Sequence, residues 1–114
     1  MKIYHNDPLP PFNQLTPAEA ERLAVLAGEC GEVIQAIAKV LRHGYESKNP
    51  DILGCPTNRE DLETEIGHVL VAASLLTRSG DLTAFRINFA EREKSRMIGR
   101  WLHHQSPSPA PDAA

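Results

Sequence analysis

Acidic residues recur at three- and four-residue spacing in two separate stretches of the sequence. Glu29 and Glu32 lie in the first stretch, and Asp61, Glu65 and His68 lie in the second. Residues three or four positions apart share one face of a helix, so each stretch would bring its side chains together. Carboxylate oxygens are the ligands that Mg²⁺ prefers, and Mg²⁺ commonly bridges them to substrate phosphates. The spacing therefore indicates metal-assisted chemistry on a phosphorylated substrate.

Both acidic sets flank an apolar stripe on the helix that carries them. On a projection at ~100° per residue, Glu29 and Glu65 each fall at about 20°, and Glu32 and His68 each at about 320°, beside the apolar residues. If the two stripes pack together, the acidic side chains converge on one rim, where they need a cation to stay ionised. The alternative is ordinary solvated helix surface paired with neighbouring Lys or Arg. A solvated face would point away from the apolar stripe, whereas these acidic residues lie beside it. Their position therefore favours the metal hypothesis.

Capping boxes define the first two of three predicted helices. Thr16–Glu19 combines a capping hydroxyl, a proline at the first helical position and a Glu at the third, which predicts the start of helix one. Gly44 ends that helix. Thr57–Glu60 forms a second capping box and begins helix two, which Ser79–Gly80 closes. A loop rich in proline and glycine joins the two helices, and its length suggests a function.

The third helix and the termini complete the predicted organisation. Asp81 is expected to cap helix three, which runs from about Leu82 to His104 and spreads its apolar residues over two faces, one for the core and one for a partner chain. Residues 1–15 are rich in proline and predict an extended arm. Residues 105–114 alternate Ser, Pro and Ala, which predicts a disordered tail. Residues 16–104 are then a single all-α domain.

Composition agrees with a small helical domain of a cytoplasmic protein. The chain has 114 residues and only 5% aromatic residues, which favours close-packed helices over strands. A core this thin predicts that the bundle is completed by oligomerisation, as a homodimer or a homotetramer. The net charge of −3 gives no general reason to bind nucleic acid or an anionic membrane. Two cysteines without a pattern, and no apolar span or signal peptide, predict a cytoplasmic location.

Two sequence motifs resemble those of a known family. The stretches LAGECGEVIQAIAKVLRHG (residues 26–44) and NREDLETEIGHVL (residues 58–70) resemble the MazG-type all-α nucleoside triphosphate pyrophosphohydrolases, especially short phage-borne members. That family carries Glu-x-x-Glu on one helix and Glu-x-x-Asp on the next, and the resemblance extends from about Leu23 to Leu102. It implies that an NTP or dNTP is cleaved between its α and β phosphates to a monophosphate and pyrophosphate, with Mg²⁺ held by four acidic positions.

One position departs from the family motif. Glu29, Glu32 and Glu65 match, whereas His68 stands where the family has Asp. An imidazole suits Mg²⁺ poorly. Three consequences follow as alternatives: the metal preference moves toward Mn²⁺, or Asp61 supplies the missing oxygen, or activity is weakened. The last would leave a helical nucleotide-binding or assembly protein of the same fold.

The resemblance also implies roles beyond metal binding. Either Glu32 or Glu65 is expected to orient the attacking water. Cations that follow the first motif would approach the substrate phosphates. The alternative is that they only stabilise the helix, because cations near a helix C-terminus interact favourably with the helix dipole. Helix three would add a further cation from its basic run and an amide for the base or sugar. The predicted substrate-binding residues are Lys39, Arg42, Asn88 and Lys94.

Overall fold

The computed structural model describes residues 12–106, and three α-helices account for most of them. Within this range there is no β-strand, as the all-α prediction requires. None of the helices in the same range combines the length and the apolar character needed to cross a membrane. Residues 1–11 of the predicted arm and residues 107–114 of the predicted tail lie outside the described residues. The helices are α1 (Pro17–His43), α2 (Asn58–Arg78) and α3 (Ala84–Met97), followed by a 3₁₀ turn (Ile98–Trp101).

Both predicted capping boxes are confirmed. The Thr16 hydroxyl accepts a hydrogen bond from the Glu19 amide at 3.1 Å, and the Glu19 carboxylate accepts one from the Thr16 amide at 2.9 Å. Thr57 and Glu60 repeat the arrangement at 3.1 and 3.0 Å. Gly44 follows α1 with a φ of 86°, a conformation that L side chains rarely adopt. These local signals fix where α1 and α2 begin and where α1 ends.

Helices α1 and α2 pack against each other as an antiparallel pair. The centre of their seam contains the buried side chains of Ala36 on α1 and of Ala72 and Leu76 on α2. On the helical projection, Ala36 and Ala72 each lie within about 40° of the acidic-cluster positions on their own helix. The seam therefore runs close to the acidic residues at the edge of each stripe.

Only part of each predicted apolar stripe lies in this seam. Ile34 and Leu41 on α1 are 68% and 81% exposed, and Ile66 on α2 is 46% exposed. Leu70, which lies outside the predicted stripe of α2, is 66% exposed. On the helical projection these residues lie on the side of the seam away from Glu32 and His68. The helix pair thus has an acidic side and an apolar side.

The start of α2 anchors the loop that joins it to α1. Asn58 is buried, and its side-chain amide donates hydrogen bonds to the carbonyls of Gly44 at 3.2 Å and Lys39 at 3.4 Å. The Asn58 backbone amide donates to the Ser47 carbonyl at 2.9 Å. These bonds join the end of α1, the loop and the first turn of α2.

Asp81 does not cap helix three, contrary to the sequence prediction. Its two carboxylate oxygens accept hydrogen bonds from the Arg22 guanidinium, from Nε at 2.6 Å and from an Nη at 3.0 Å. A two-point, charge-assisted pair is stronger than a single cap bond, so the long-range partner takes the carboxylate. Thr83 occupies the cap position of α3 without a side-chain hydrogen bond.

The chain divides into two compact units, and the second begins at Leu82. Its α-helix ends at Met97 rather than near His104 as predicted, and a 3₁₀ turn containing Gly99 follows, in keeping with the poor helix propensity of glycine. Helix α3 has no buried residue, and Phe85 and Phe89 on it are 75% and 56% exposed. This unit exposes most of its apolar surface.

We expect Asp81→Asn to lower stability at neutral pH and to remove an acid-sensitive part of the unfolding curve. The hydrogen bonds from Arg22 hold the pKa of Asp81 below its ordinary value. Such a carboxylate stabilises the fold above its unfolded-state pKa, and the contribution is lost as pH falls through its folded-state pKa. Urea midpoints of the two proteins should differ above about pH 5, and the difference should shrink below about pH 4 and disappear once the pH has fallen below the lowered pKa of Asp81. Glu46→Gln, which alters an exposed pair with Arg59, should leave the midpoint nearly unchanged. A gap that persists at low pH would contradict this account.

Candidate metal centre

Four of the predicted metal ligands come together where α1 and α2 pack. One ligand atom from each of Glu29, Glu32, Glu65 and His68 lies within 4.8 Å of the other three. We call this group the acidic cluster. Glu29 and Glu32 are one turn apart on α1, and Glu65 and His68 are one turn apart on α2. Each pair lies at the same angular position on its own helix relative to the apolar stripe, and the packing of the two stripes therefore brings the pairs together.

His68 closes the cluster on its exposed side. Its Nδ1 atom lies 3.5 Å from Glu29 Oε2 and 3.4 Å from Glu65 Oε2. The imidazole is 53% exposed, whereas the Glu29 and Glu65 side chains are 28% and 22% exposed. One ring nitrogen therefore faces two carboxylates from two different helices.

Two carboxylate oxygens in the cluster lack hydrogen bonds. Glu29 Oε2 and Glu65 Oε2 are buried, and no donor is in hydrogen-bonding geometry with either of them. The pKa of Glu65 is raised, mainly by its pairing with the Glu32 carboxyl and by desolvation, with the Glu32 charge next, and His68 acts in the opposite direction. Buried carboxylates without donors are costly. A divalent cation would satisfy both oxygens, so the residues present fit the oxygen-rich donor set of such an ion.

Asp61, the fifth predicted ligand, lies outside the acidic cluster. It contributes instead to the wall of a cavity of about 210 Å³ between the helices, next to Glu32 and Glu65. Lys39 lines the same cavity from α1. We call this space the inter-helix cavity. A cation and a carboxylate thus lie beside the acidic cluster, on the side toward the α1–α2 loop.

A larger cavity of about 550 Å³ follows at the loop end of the helix pair. Lys39 and Asp61 line both cavities, which makes the two spaces neighbours. Arg42 and Lys48 also line this loop cavity, together with less polar residues of the loop. Three cations around one carboxylate favour an anionic occupant.

A family model, the MazG nucleotide pyrophosphohydrolase domain, matches residues 18–100. The chain belongs to the MazG family. Neither the curated proteins nor the solved structures with which the chain was compared gave a match. Membership confirms the resemblance found in the motifs and the all-α fold. It also assigns the chain, in general terms, to nucleotide pyrophosphohydrolases, a family in which activity typically depends on metal.

Two residues predicted to bind substrate lie on α3, in the second unit of this MazG chain. Asn88 lines a shallow hollow on α3 with Glu91 and Arg92. The Lys94 ammonium lies 4.9 Å from the centre of the Trp101 ring, a cation–π contact. Their roles in substrate binding stay predictions.

Three residues of the α1–α2 loop line the loop cavity although no motif in the sequence marks them. Ser47, Lys48 and Asn49 lie there. The signal available in the sequence was the length of the loop and its proline and glycine content, which marks a functional segment without saying which side chains face inward. Asn58, whose buried amide fixes the loop, was likewise not identified.

Proposed function

We propose that this MazG chain is a metal-dependent hydrolase that converts an NTP or dNTP to the nucleoside monophosphate and pyrophosphate. The proposed metal is Mg²⁺ or Mn²⁺, and its carboxylate ligands are Glu29, Glu32 and Glu65. One observation carries the proposal: three carboxylates and an imidazole converge in a family member and leave two buried carboxylate oxygens without hydrogen bonds.

The acidic cluster supplies charge and geometry rather than a covalent nucleophile. A bound divalent cation would polarise the phosphate oxygens and lower the pKa of a water molecule. Glu32, the more exposed of the two predicted catalytic carboxylates, is suited to orient that water toward the α-phosphorus. The water oxygen would then form a bond to the α-phosphorus and lose a proton to solvent, while the bond from that phosphorus to the oxygen bridging to the β-phosphate breaks and pyrophosphate leaves with the bridging oxygen.

The two cavities are suited to the rest of the substrate. Lys39 lies between them, beside the acidic cluster, and Arg42 lies about one turn farther along α1. Phosphate groups that extend from the metal centre toward the loop would meet these cations in turn. Asp61 opposes Lys39 across the inter-helix cavity, where it limits how much positive charge the phosphates encounter.

A pyrophosphate-release screen tests the proposal directly. The purified chain is incubated with the common and damaged NTPs and dNTPs in the presence of Mg²⁺ or Mn²⁺, and the products are separated by ion-exchange chromatography. We expect a monophosphate and pyrophosphate in equal amounts, and no product with EDTA. Diphosphate and orthophosphate as products would contradict cleavage between the α and β phosphates.

His68 favours a second candidate, a nucleotide-binding or assembly protein that kept the MazG fold and lost efficient chemistry. An imidazole at the fourth ligand position gives Mg²⁺ one anionic oxygen fewer. Metal-dependent nucleotide binding without turnover across the whole screen would favour this candidate over the enzyme.

We propose a second copy of this chain as the partner. The apolar side of the helix pair, with Ile34, Leu41 and Leu70, and the exposed phenylalanines of α3 are the surfaces that self-association would cover. Whether the assembly is a dimer or a tetramer, the absence of nucleic acid or membrane partners and the cytoplasmic location stay predictions from composition.

We expect Phe89→Lys to shift the assembly toward smaller species. Phe89 is 56% exposed on α3, and a lysine there would place a charge in an interface if that face is covered. Sedimentation velocity at micromolar concentration measures the change. Ser95→Lys adds the same charge at another exposed position of α3 and should not alter the assembly. A wild-type monomer would contradict the oligomer proposal.

A further inference from the structure

We propose that His68 is itself a metal ligand, through Nδ1, and that it makes the acidic cluster select first-row transition-metal ions, Mn²⁺ in particular, over Mg²⁺. The inference rests on the proposed function, because it concerns the ion at the same centre. It assigns a role to the one residue that departs from the family motif.

The position of the imidazole is that of a ligand. Ligand atoms about 2.1 Å from one octahedral ion lie about 3 Å from each other when adjacent. His68 Nδ1 lies 3.5 Å from Glu29 Oε2 and 3.4 Å from Glu65 Oε2, close to that separation. Both oxygens are buried without hydrogen bonds, so they and the nitrogen face the same small space.

The donor set determines which ion gains most from this arrangement. Mg²⁺ is hard, prefers oxygen ligands and gives up water reluctantly, so a nitrogen ligand adds little to its binding. Imidazole binds transition metals well, and carboxylates suit Mn²⁺ as well as Mg²⁺. Three carboxylates with one imidazole therefore favour Mn²⁺. Asp61 is not part of this donor set: it lies outside the cluster and lines the inter-helix cavity.

A competing role for His68 predicts the opposite effect on affinity. A protonated imidazole between Glu29 and Glu65 would act as an internal cation. It would neutralise part of the negative charge of the two carboxylates, which a bound metal ion would otherwise neutralise. Its removal would then tighten the binding of every divalent ion. A ligand role predicts instead that removal weakens Mn²⁺ binding and scarcely affects Mg²⁺ binding.

Calorimetric titrations of the full chain with Mn²⁺ and with Mg²⁺ separate the two roles. The proteins compared are wild type, His68→Gln and His43→Gln. His43 ends α1, about 21 Å along the helix from Glu29, and controls for loss of any histidine. We expect wild type to prefer Mn²⁺ by at least about tenfold, His68→Gln to lose at least about tenfold in Mn²⁺ affinity, and Mg²⁺ affinity to change by less than about threefold. His43→Gln should match wild type.

Electron spin-echo envelope modulation of bound Mn²⁺ reports the ligand itself. We expect modulation from a directly bound imidazole nitrogen in wild type and in His43→Gln, and none in His68→Gln. Equal affinities of wild type for the two ions, tighter metal binding by His68→Gln, or no nitrogen modulation in wild type would each overturn the inference. Failure of the proposed function would be seen separately. If bound Mn²⁺ shows nitrogen modulation but no pyrophosphate is released from any nucleotide, the ligand role of His68 stands and the proposed enzymatic activity is refuted. If pyrophosphate is released but bound Mn²⁺ shows no nitrogen modulation, the enzymatic activity stands and the ligand role of His68 is refuted.

Discussion

Glu65→Gln should lower metal-dependent turnover at least about a hundredfold while the helical fold is kept. The substitution removes a charge and one anionic ligand without changing the volume of the side chain. Glu65 Oε2 is buried and has no hydrogen-bond donor, and the raised pKa of Glu65 shows that its ionised form is disfavoured when no metal is bound. Pyrophosphate release at saturating Mg²⁺ and at saturating Mn²⁺ measures the loss. Glu29→Gln should behave in the same way.

Two controls make this prediction specific. Glu63→Gln makes the same chemical change on α2, at an exposed position outside the acidic cluster, and should retain wild-type turnover. In the absence of metal, the thermal midpoint of Glu65→Gln should equal or exceed that of wild type, because repulsion with Glu32 is relieved. Wild-type turnover by Glu65→Gln at saturating metal would refute the proposed centre.

The acidic cluster was predictable because it depends on one simple property, the equal phase of two short motifs on helices with clear start signals. The same reasoning placed Asp61 in the cluster, since its angle on the helix is also suitable. Angle alone omits the rise along the axis. Asp61 is four residues from Glu65, about 6 Å along α2 toward the loop, and this displacement leaves it outside the cluster, in the wall of the inter-helix cavity.

The packing between the helices was less predictable. Apolar spacing showed the side of α1 that avoids water, but it did not show that the partner helix covers only one edge of the stripe. The covered edge is marked by the buried residues Ala36 and Ala72, which lie on the acidic side of each stripe. Ile34 and Leu41 stay exposed as a result.

Asp81 illustrates a different limit of sequence reasoning. Its position before a helical segment is typical of a cap, and capping depends on neighbours in the sequence. Its partner in the structure, Arg22, is 59 residues away. A long-range contact of this kind has no local signal, so it becomes visible only when the chain is folded.

His68→Asp should raise Mg²⁺-supported turnover by about tenfold, since it restores an anionic oxygen at the fourth ligand position. Asp is shorter than His, but position 68 lies one turn from Glu65 and faces Glu29 across the seam, so its carboxylate would stay within reach of the cluster. Mn²⁺-supported turnover should rise less, because the imidazole of His68 already binds Mn²⁺ better than it binds Mg²⁺. Initial rates over a titration of each metal measure both effects.

Combining His68→Asp with Asp61→Asn determines whether Asp61 compensates for the histidine. If Asp61 compensates, Asp61→Asn should lower turnover in the wild-type background and leave turnover unchanged in the His68→Asp background. Because Asp61 lies outside the acidic cluster, we expect the opposite: the loss caused by Asp61→Asn should be the same factor in both backgrounds, as for residues that act independently. A loss confined to the wild-type background would show that Asp61 reaches the metal after all. Inactivity of all four proteins with both metals, alongside retained nucleotide binding, would mean that the fourth ligand is not what limits catalysis and would favour the non-catalytic binding protein.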